Sequence, residues 1–541
     1  MAKKIINDSV HGYIYLDSMA SHIVDSAEFQ RLKSIEQGSF RVVYPAARHD
    51  RFIHSLGTYY LSKKVGVHFI DNIYEDLNIE LDKLLVAKIT NTFYYAALLH
   101  DIGHAPFSHT TEKFFVKKAT EGTPFINVQL FNAVESISTE KSQFEIFKKE
   151  FSEISPSPHE IMSATLLINK SKDFLMEHLK DIDLELAARM VLGSTYDYNN
   201  HDITRHEIKN ELGVKNCFIR LLNSEIVDID KMDYIKRDTQ MSGFFNVPID
   251  IERIVSSVTA VFDDEGCIYP AFRKSSLSVI DNVFRAKSEQ AQWMVSHPIV
   301  KYDSELLSFC INSLSSRINA NYIEEVFSMS ALGKEGVTLE GKKYRLLCDT
   351  DIHSDLRKHY DDCDLIRELY ERDSRRKPIW KSYYEYKYLF SDLIEPDGDD
   401  FVLRYFKPLV DTLQLYDIFV LNDKSFNSIE VNESIKNEVK AVALFLKDFC
   451  ESENIPFDLT LITSTGNFNT KFDSKKVYIT FSKLPKKNGK NFETYEFLKE
   501  PTKNENKPFF FIYSKQKFKP EHILRFKEKL SAQKKPIKKR A

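Results

Sequence analysis

From Leu98 to His109 the chain reads LLHDIGHAPFSH. A leucine pair closes an apolar run, and His100, Asp101, His104 and His109 follow at once. Proline disfavours helical geometry at the residue before it, so the helix carrying this run is expected to end near Ala105. On such a helix His100 and His104 lie about 40° apart and Asp101 about 100° from His100, so all three can face one pocket. The apolar flanks would restrict water access and strengthen the electrostatics there. A mixed histidine and carboxylate set suits a borderline or hard divalent cation such as Mn, Fe, Zn or Mg.

An isolated His-Asp pair is most often ordinary polar surface. Three further segments change the balance. HDRFIHSLG places His54 upstream beside arginines, and SPHEIMSA supplies His159 and Glu160. IVDIDKMDYIKRD sets Asp230, Tyr234, Arg237 and Asp238 along one side of a helix. The ordinary reading of that side is a solvated charged face. A tyrosine between the charges, next to Lys231, reads better as a substrate wall.

The 541 residues are 43% hydrophobic and 13% aromatic, enough for a sizeable core and two or more domains. The net charge of -4 excludes a global basic field that would recruit nucleic acid or membrane. Six scattered cysteines without a CxxC pair suit a reducing compartment. With no membrane-length apolar run, a cytoplasmic protein is expected. FYYAALLH, IMSATLLI, LELAARMVLG and FIRLLNSEIVDIDKMDYIKRD show helical spacing, and most of residues 20–320 is expected to be helix. Residues 117–156 are more polar and less periodic, ending in a Pro/Ser cluster before His159. After about residue 410 the runs LTLIT, KVYITFS and KPFFFIYS are β-rich, and the amphipathic EHILRFKEKL follows. The tail AQKKPIKKRA is basic and expected to be solvated.

The ordered set H…HD…D, here His54, His100–Asp101 and Asp230, resembles the HD-domain metal phosphohydrolases. HDIGHAPFSH with Glu112, NDSVHG, FQRLKSIEQ, RFIHSLG and DIDKMDYIKRD are similar to the deoxynucleoside triphosphate triphosphohydrolases (dNTPases), in their SAM-and-HD-domain branch and its bacterial relatives. The matching motifs run from Lys4 to about His297. No SAM domain is expected, because NDSVHG begins at residue 7. The resemblance implies a mainly α fold: an all-helical HD-domain core with helical extensions over 1–410, and a smaller C-terminal α/β lobe over 411–541. It implies His54, His100, Asp101 and Asp230 as ligands of a divalent metal. That metal would hold a water and a phosphate oxygen, and the water would attack the α-phosphorus of a dNTP. His104, His109 and His159 match the family's catalytic histidines, one of which protonates the leaving oxygen. Glu112 and Glu160 are placed to fix a tautomer and raise a histidine's pKa. Arg51 and Lys231 match phosphate-binding positions, and Gln37, Tyr234 and Asp238 sugar-side ones. Ile5, Asn7, Asp25, Gln30 and Lys33 match parts of an activating nucleotide site, and relatives form tetramers; a dimer or tetramer is the expected assembly.

This sequence also departs from the pattern. An insertion is expected at about 117–152, placed to cover the site, block assembly contacts or bind a partner. The segment from Gln37 to Pro45 is about one residue short. Lys287 stands where the family has a phosphate-gripping arginine, and Val295 where a tyrosine lines the sugar. Two other readings compete: an HD nuclease or other nucleotide phosphohydrolase, and a nucleotide-sensing regulatory protein. The acidic balance and the lack of a basic–aromatic groove argue against the nuclease and against nucleic acid as a partner. A sensor has no need of a proton donor. A bacterial member of the family could serve phage defence by depleting dNTPs.

Overall fold

The computed structural model describes residues 4–117, 122–201, 206–244, 248–395, 399–415, 418–428, 433–464, 473–481, 490–498 and 509–534. Most of the basic tail lies outside them. The fold is mainly α, and the chain divides into two compact units. The first comprises Met1–Ala291, Leu314–Ser354 and Asn469–Lys503; the second comprises Gln292–Ser313, Asp355–Phe468 and Asn504–Ala541. The division expected at residue 410 falls inside the second unit, and the C-terminal region returns two strands, Tyr478–Thr480 and Phe492–Thr494, to the first.

Four helices of the first unit position the conspicuous side chains. The long helix Arg51–Leu77 starts where the Asp50 side chain accepts from the Ile53 N–H at 3.0 Å, and stops at Asn78 with φ 52°. Beside it packs Lys83–Leu99, capped by Asp82, whose residues Phe93 to Leu99 are all buried. Pro158–Asn169 opens with a capping box between Ser157 and Glu160, with Pro158 in the first turn. Ile229–Ser242 is capped by Asp228, which accepts from the Lys231 N–H at 2.8 Å, and is ended by Gly243 at φ 71°. That cap also splits the run FIRLLNSEIVDIDKMDYIKRD into two helices, His206–Leu222 and Ile229–Ser242.

Two sequence expectations need correction. The helix ahead of Pro106 ends at Leu99, with His100 as its C-cap, and not near Ala105. His100, Asp101 and His104 therefore converge through a turn, closed by the His104 N–H to Asp101 carbonyl bond of 3.0 Å, and not on one helix face. The core is also not all-helical. Lys4–Asp8 and Gly12–Leu16 form an antiparallel hairpin. Val258–Phe262 and Ile268–Arg273 form another around Gly266, whose φ is 74°. Tyr478–Thr480 lies parallel to Ile268–Arg273 and antiparallel to Phe492–Thr494, completing a four-stranded sheet.

Within 117–152, the described residues form two packed helices, Phe125–Ile137 and Lys141–Phe151. Ile126, Leu130, Ala133 and Val134 are buried, and the first helix packs on Pro158–Asn169. Glu150 pairs with buried Arg189 at 2.7 Å, and that guanidinium lies 4.1 Å from the Tyr196 ring centroid. In the second unit, Lys377–Pro378, Phe509–Ser514, Asp458–Ser464 and Leu421–Asn422 form an antiparallel sheet in that order. Its middle strands contain the run LTLIT and the FFFIYS part of KPFFFIYS, and helices Phe401–Leu415, Glu433–Ser452 and Pro520–Gln533 belong to the same unit. Among the described residues no helix is long and apolar enough to cross a membrane.

Candidate metal centre and histidine cluster

His54 sits in the first turn of the long helix, His100 at the end of its neighbour, and Asp230 in the first turn of Ile229–Ser242. Each imidazole commits its Nδ1–H. His54 donates to Asp233 Oδ2 at 2.7 Å, and His100 to the Ala97 carbonyl at 2.9 Å. The tautomers follow from these acceptors. The two Nε2 lone pairs then face each other at 3.2 Å, with Asp230 Oδ1 3.0 Å from the first and 3.6 Å from the second. Lone pairs so placed repel unless a proton or a cation lies between them. Ligands about 2.0–2.1 Å from a zinc-sized ion stand roughly 3.0–3.4 Å apart, so the set fits a divalent cation. The charge balance agrees. Burial alone would lower the His54 pKa, but the Asp230 and Asp233 carboxylates push it up to about 10.

Asp101 stands beside this set. Its Oδ2 accepts from Arg51 Nη1 at 2.8 Å and lies 3.6 Å from His54 Nε2. Its Oδ1 is 3.6 Å from His100 Nε2 and 3.5 Å from His104 Nε2. Against the cost of burial, His100, Arg51 and His54 hold this carboxyl far below its usual range.

Beyond Asp101 lies a second cluster. His104 and His159 stack with ring centroids 4.2 Å apart, and His109 meets both edge-on. Glu112 Oε1 is 2.8 Å from His109 Nδ1, 3.0 Å from His159 Nδ1 and 3.5 Å from His104 Nδ1. Burial would lower the His159 pKa; the Glu112 carboxylate overcomes it and raises it. His104 goes the other way: burial first, then the Arg51 charge, drive it well below the ordinary value, so it is neutral. Among the described residues neither of its ring nitrogens has a hydrogen-bond partner. His109 is exposed, with 66% of its side chain accessible. Glu160, expected beside His159 to fix a tautomer and raise a histidine's pKa, accepts from the Ser157 N–H at 2.6 Å and from Asn223 at 2.9 Å, and its charge adds to that of Glu112 in raising the His159 pKa.

The loop between the clusters is locked from outside. Phe107 and Ser108 have φ 57° and 51°, costly for side chains of their size. Asp349 accepts from the Phe107 N–H at 2.6 Å and the Glu36 N–H at 2.9 Å, and Ser108 Oγ accepts from Arg51 Nε at 3.0 Å. Gly103 lets the turn touch the next helix: a Cβ there would fall 2.4 Å from the Ser163 nitrogen.

No family model matches the chain. An uncharacterized protein of Methanocaldococcus jannaschii is 28% identical over 299 residues, 55% of this chain and 47% of that protein. The deoxynucleoside triphosphate triphosphohydrolase SAMHD1 of Homo sapiens is 40% identical over 117 residues, 21% of this chain and 18% of that protein. An HD domain-containing protein of Acanthamoeba polyphaga mimivirus is 41% identical over 113 residues, 20% of this chain and 24% of that protein. Over these stretches the chain is similar to HD-domain proteins, the dNTPase SAMHD1 among them. It spans less than half the length of these curated relatives. A hypothetical protein from Aquifex aeolicus matches in fold, with TM-score 0.57 and 16% identity over 98% of this chain and 100% of that one.

The other positions suggested by the dNTPase resemblance fall as follows. Arg51 donates to Asp101, Ser108 and the Gln37 carbonyl. Gln37 is buried, and its side-chain oxygen has no hydrogen-bond partner among the described residues. Lys231 is buried against Asp228 and the Ser224 carbonyl. Lys287 lies 4.2 Å from the Tyr234 ring centroid, and burial and the Lys231 charge push its pKa down to about 8. Asp238 accepts from His49 and Gln290, each at 2.7 Å. Val295 falls in the second unit. Ile5 and Asn7 lie on the exposed face of the N-terminal hairpin, and Asp25 pairs with Lys4 of the same hairpin. Gln30 donates to the Val24 carbonyl at 2.6 Å, and Lys33 sits 4.5 Å from the Phe52 ring centroid. His11, His49, Asp233 and Gln290 escaped the sequence reading. Asp233 had a local signal, since it follows Asp230 by three residues on the same helix side; His11 and His49 stand inside the motifs NDSVHG and HDRFIHSLG but were given no role.

Proposed function

We propose that the protein is a divalent-metal-dependent phosphohydrolase that cleaves dNTPs to the deoxynucleoside and inorganic triphosphate. One observation carries this reading: a set fit for a cation, its two histidines buried, and a histidine cluster with His104 and His159 buried flank the same carboxylate, Asp101. A cation at His54, His100, Asp101 and Asp230 would supply Lewis-acid polarisation and a water of lowered pKa. Arg51, its guanidinium aimed by Ser108 and Asp101, offers planar donors to phosphate oxygens. Lys231 and Lys287 add positive charge for the phosphate chain. His159, kept protonated by the Glu112 carboxylate 3.0 Å from its Nδ1, delivers its Nε2 proton to the leaving 5′-oxygen, while stacked His104, being neutral, keeps one N–H for a phosphate oxygen. Tyr234 walls the sugar, and Asp238 accepts from its hydroxyl. Activation by a second nucleotide near Ile5, Asn7, Asp25, Gln30 and Lys33, a homo-oligomeric assembly, a cytoplasmic location and a part in phage defence belong to the same proposal.

The test is incubation of the purified protein with dNTPs, NTPs and single-stranded DNA in Mn or Mg, in ¹⁸O-labelled water. Nucleoside and triphosphate should form from dNTPs, with the label in triphosphate. Formation of dNDP and phosphate, or cleavage of the strand, would overturn the reading.

A further inference from the structure

The N-terminal hairpin reaches the metal centre through its turn. His11, between the strands Lys4–Asp8 and Gly12–Leu16, donates Nε2–H to Asp233 Oδ1 at 2.6 Å. The other oxygen of Asp233 accepts the His54 Nδ1–H at 2.7 Å. Arg237 grips the same carboxylate with Nε at 2.8 Å and Nη2 at 2.9 Å, and sends Nη1 back to Asp8 at 2.7 Å. Asp8 accepts from the N–H groups of Val10 and His11 at 2.9 and 2.8 Å, which fixes the turn that aims His11. The His11 side chain is 3% exposed and those of Asp233 and Arg237 are fully buried. Gly57, one turn after His54, admits the network: a Cβ there would fall 1.9 Å from Asp233 Oδ1.

We propose that His11 and Asp233 are positioning residues for His54, which makes the N-terminal hairpin a working part of the metal centre. This rests on the metal-site reading above. By accepting from Nδ1, Asp233 leaves the Nε2 lone pair of His54 facing His100 and Asp230. His11 and Arg237 hold the carboxylate in the plane that this bond needs. Without His11 the carboxylate keeps only the Arg237 grip, so the bond that orients His54 is held less firmly. Partners of this kind behind a metal ligand contribute roughly 10–100-fold in metal affinity.

The experiment measures Mn or Zn affinity of the full-length protein by competition with a chelator, alongside the melting temperature of the metal-free form. His11→Ala and Asp233→Asn should bind metal ~10–100-fold more weakly than wild type. His11→Gln, which keeps an N–H donor, should recover most of the loss. Tyr13→Ala, on the exposed face of the same hairpin, should bind as wild type. Unchanged affinity in both His11→Ala and Asp233→Asn overturns the inference. So does a His11→Gln variant as weak as His11→Ala when the metal-free proteins melt alike. A wild type that takes up no metal overturns the metal-site reading itself, an outcome distinct from a tight-binding wild type with tight-binding variants.

Discussion

A single oxygen, Glu112 Oε1, faces three imidazoles, and this has a pH consequence. The His159 pKa is raised, so its proton is retained above the ordinary histidine range and lost as pH rises through the raised value. If that proton goes to the leaving oxygen, kcat falls along this alkaline limb. Glu112→Gln removes the raising charge, so the limb should move to lower pH in a kcat–pH profile; a limb that stays put assigns the proton to another group. His159→Ala should lower kcat by roughly 10²–10⁴-fold while substrate binding changes far less, as steady-state and binding measurements together would reveal. Asp101→Ala should remove bound metal and nearly all hydrolysis without altering the circular dichroism spectrum. Equal metal in variant and wild type, by elemental analysis, would place the ligands elsewhere.

At the scale of elements, the turn from His100 to Gly103 decides how the clusters meet. Gly103→Ala would drive a Cβ into the backbone of the next helix, 2.6 Å from the Met162 carbonyl carbon. Overpacking of this kind costs about 1–3 kcal/mol, so the denaturant midpoint should fall with the slope unchanged. The helices themselves were legible, because apolar runs such as Phe93 to Leu99 recur at helical spacing, whereas the break at Asp228 inside FIRLLNSEIVDIDKMDYIKRD was not. The stop was placed too late. Pro106 bars helix only just ahead of itself, whereas His100 already ends the helix, its own Nδ1 binding the Ala97 carbonyl. Composition also hid the short strands Val258–Phe262 and Ile268–Arg273, set among helices. His54, His100 and Asp230, which the structure brings together as a possible cation site, stand in one order along the chain that could be read. The bond from His11 to Asp233 spans 222 positions and leaves no local trace.

At the scale of the whole molecule, Lys33 tests whether a second nucleotide governs activity. Lys33→Ala should abolish any activation by an added nucleotide while metal content stays unchanged. A hyperbolic rate in a single dNTP, with no nucleotide-linked change in mass, would show that the wild type lacks such control. The sheet of the first unit carries a different consequence, for synthesis. Strand Ile268–Arg273 waits for Tyr478–Thr480, which emerges roughly 200 residues later, about 10–40 s at ordinary elongation rates. Throughout that interval the nascent chain carries an open strand edge, a template for pairing with neighbours on the same message. A chain terminated at residue 410 would keep that edge for good, and should run as aggregates on gel filtration where the full-length protein does not.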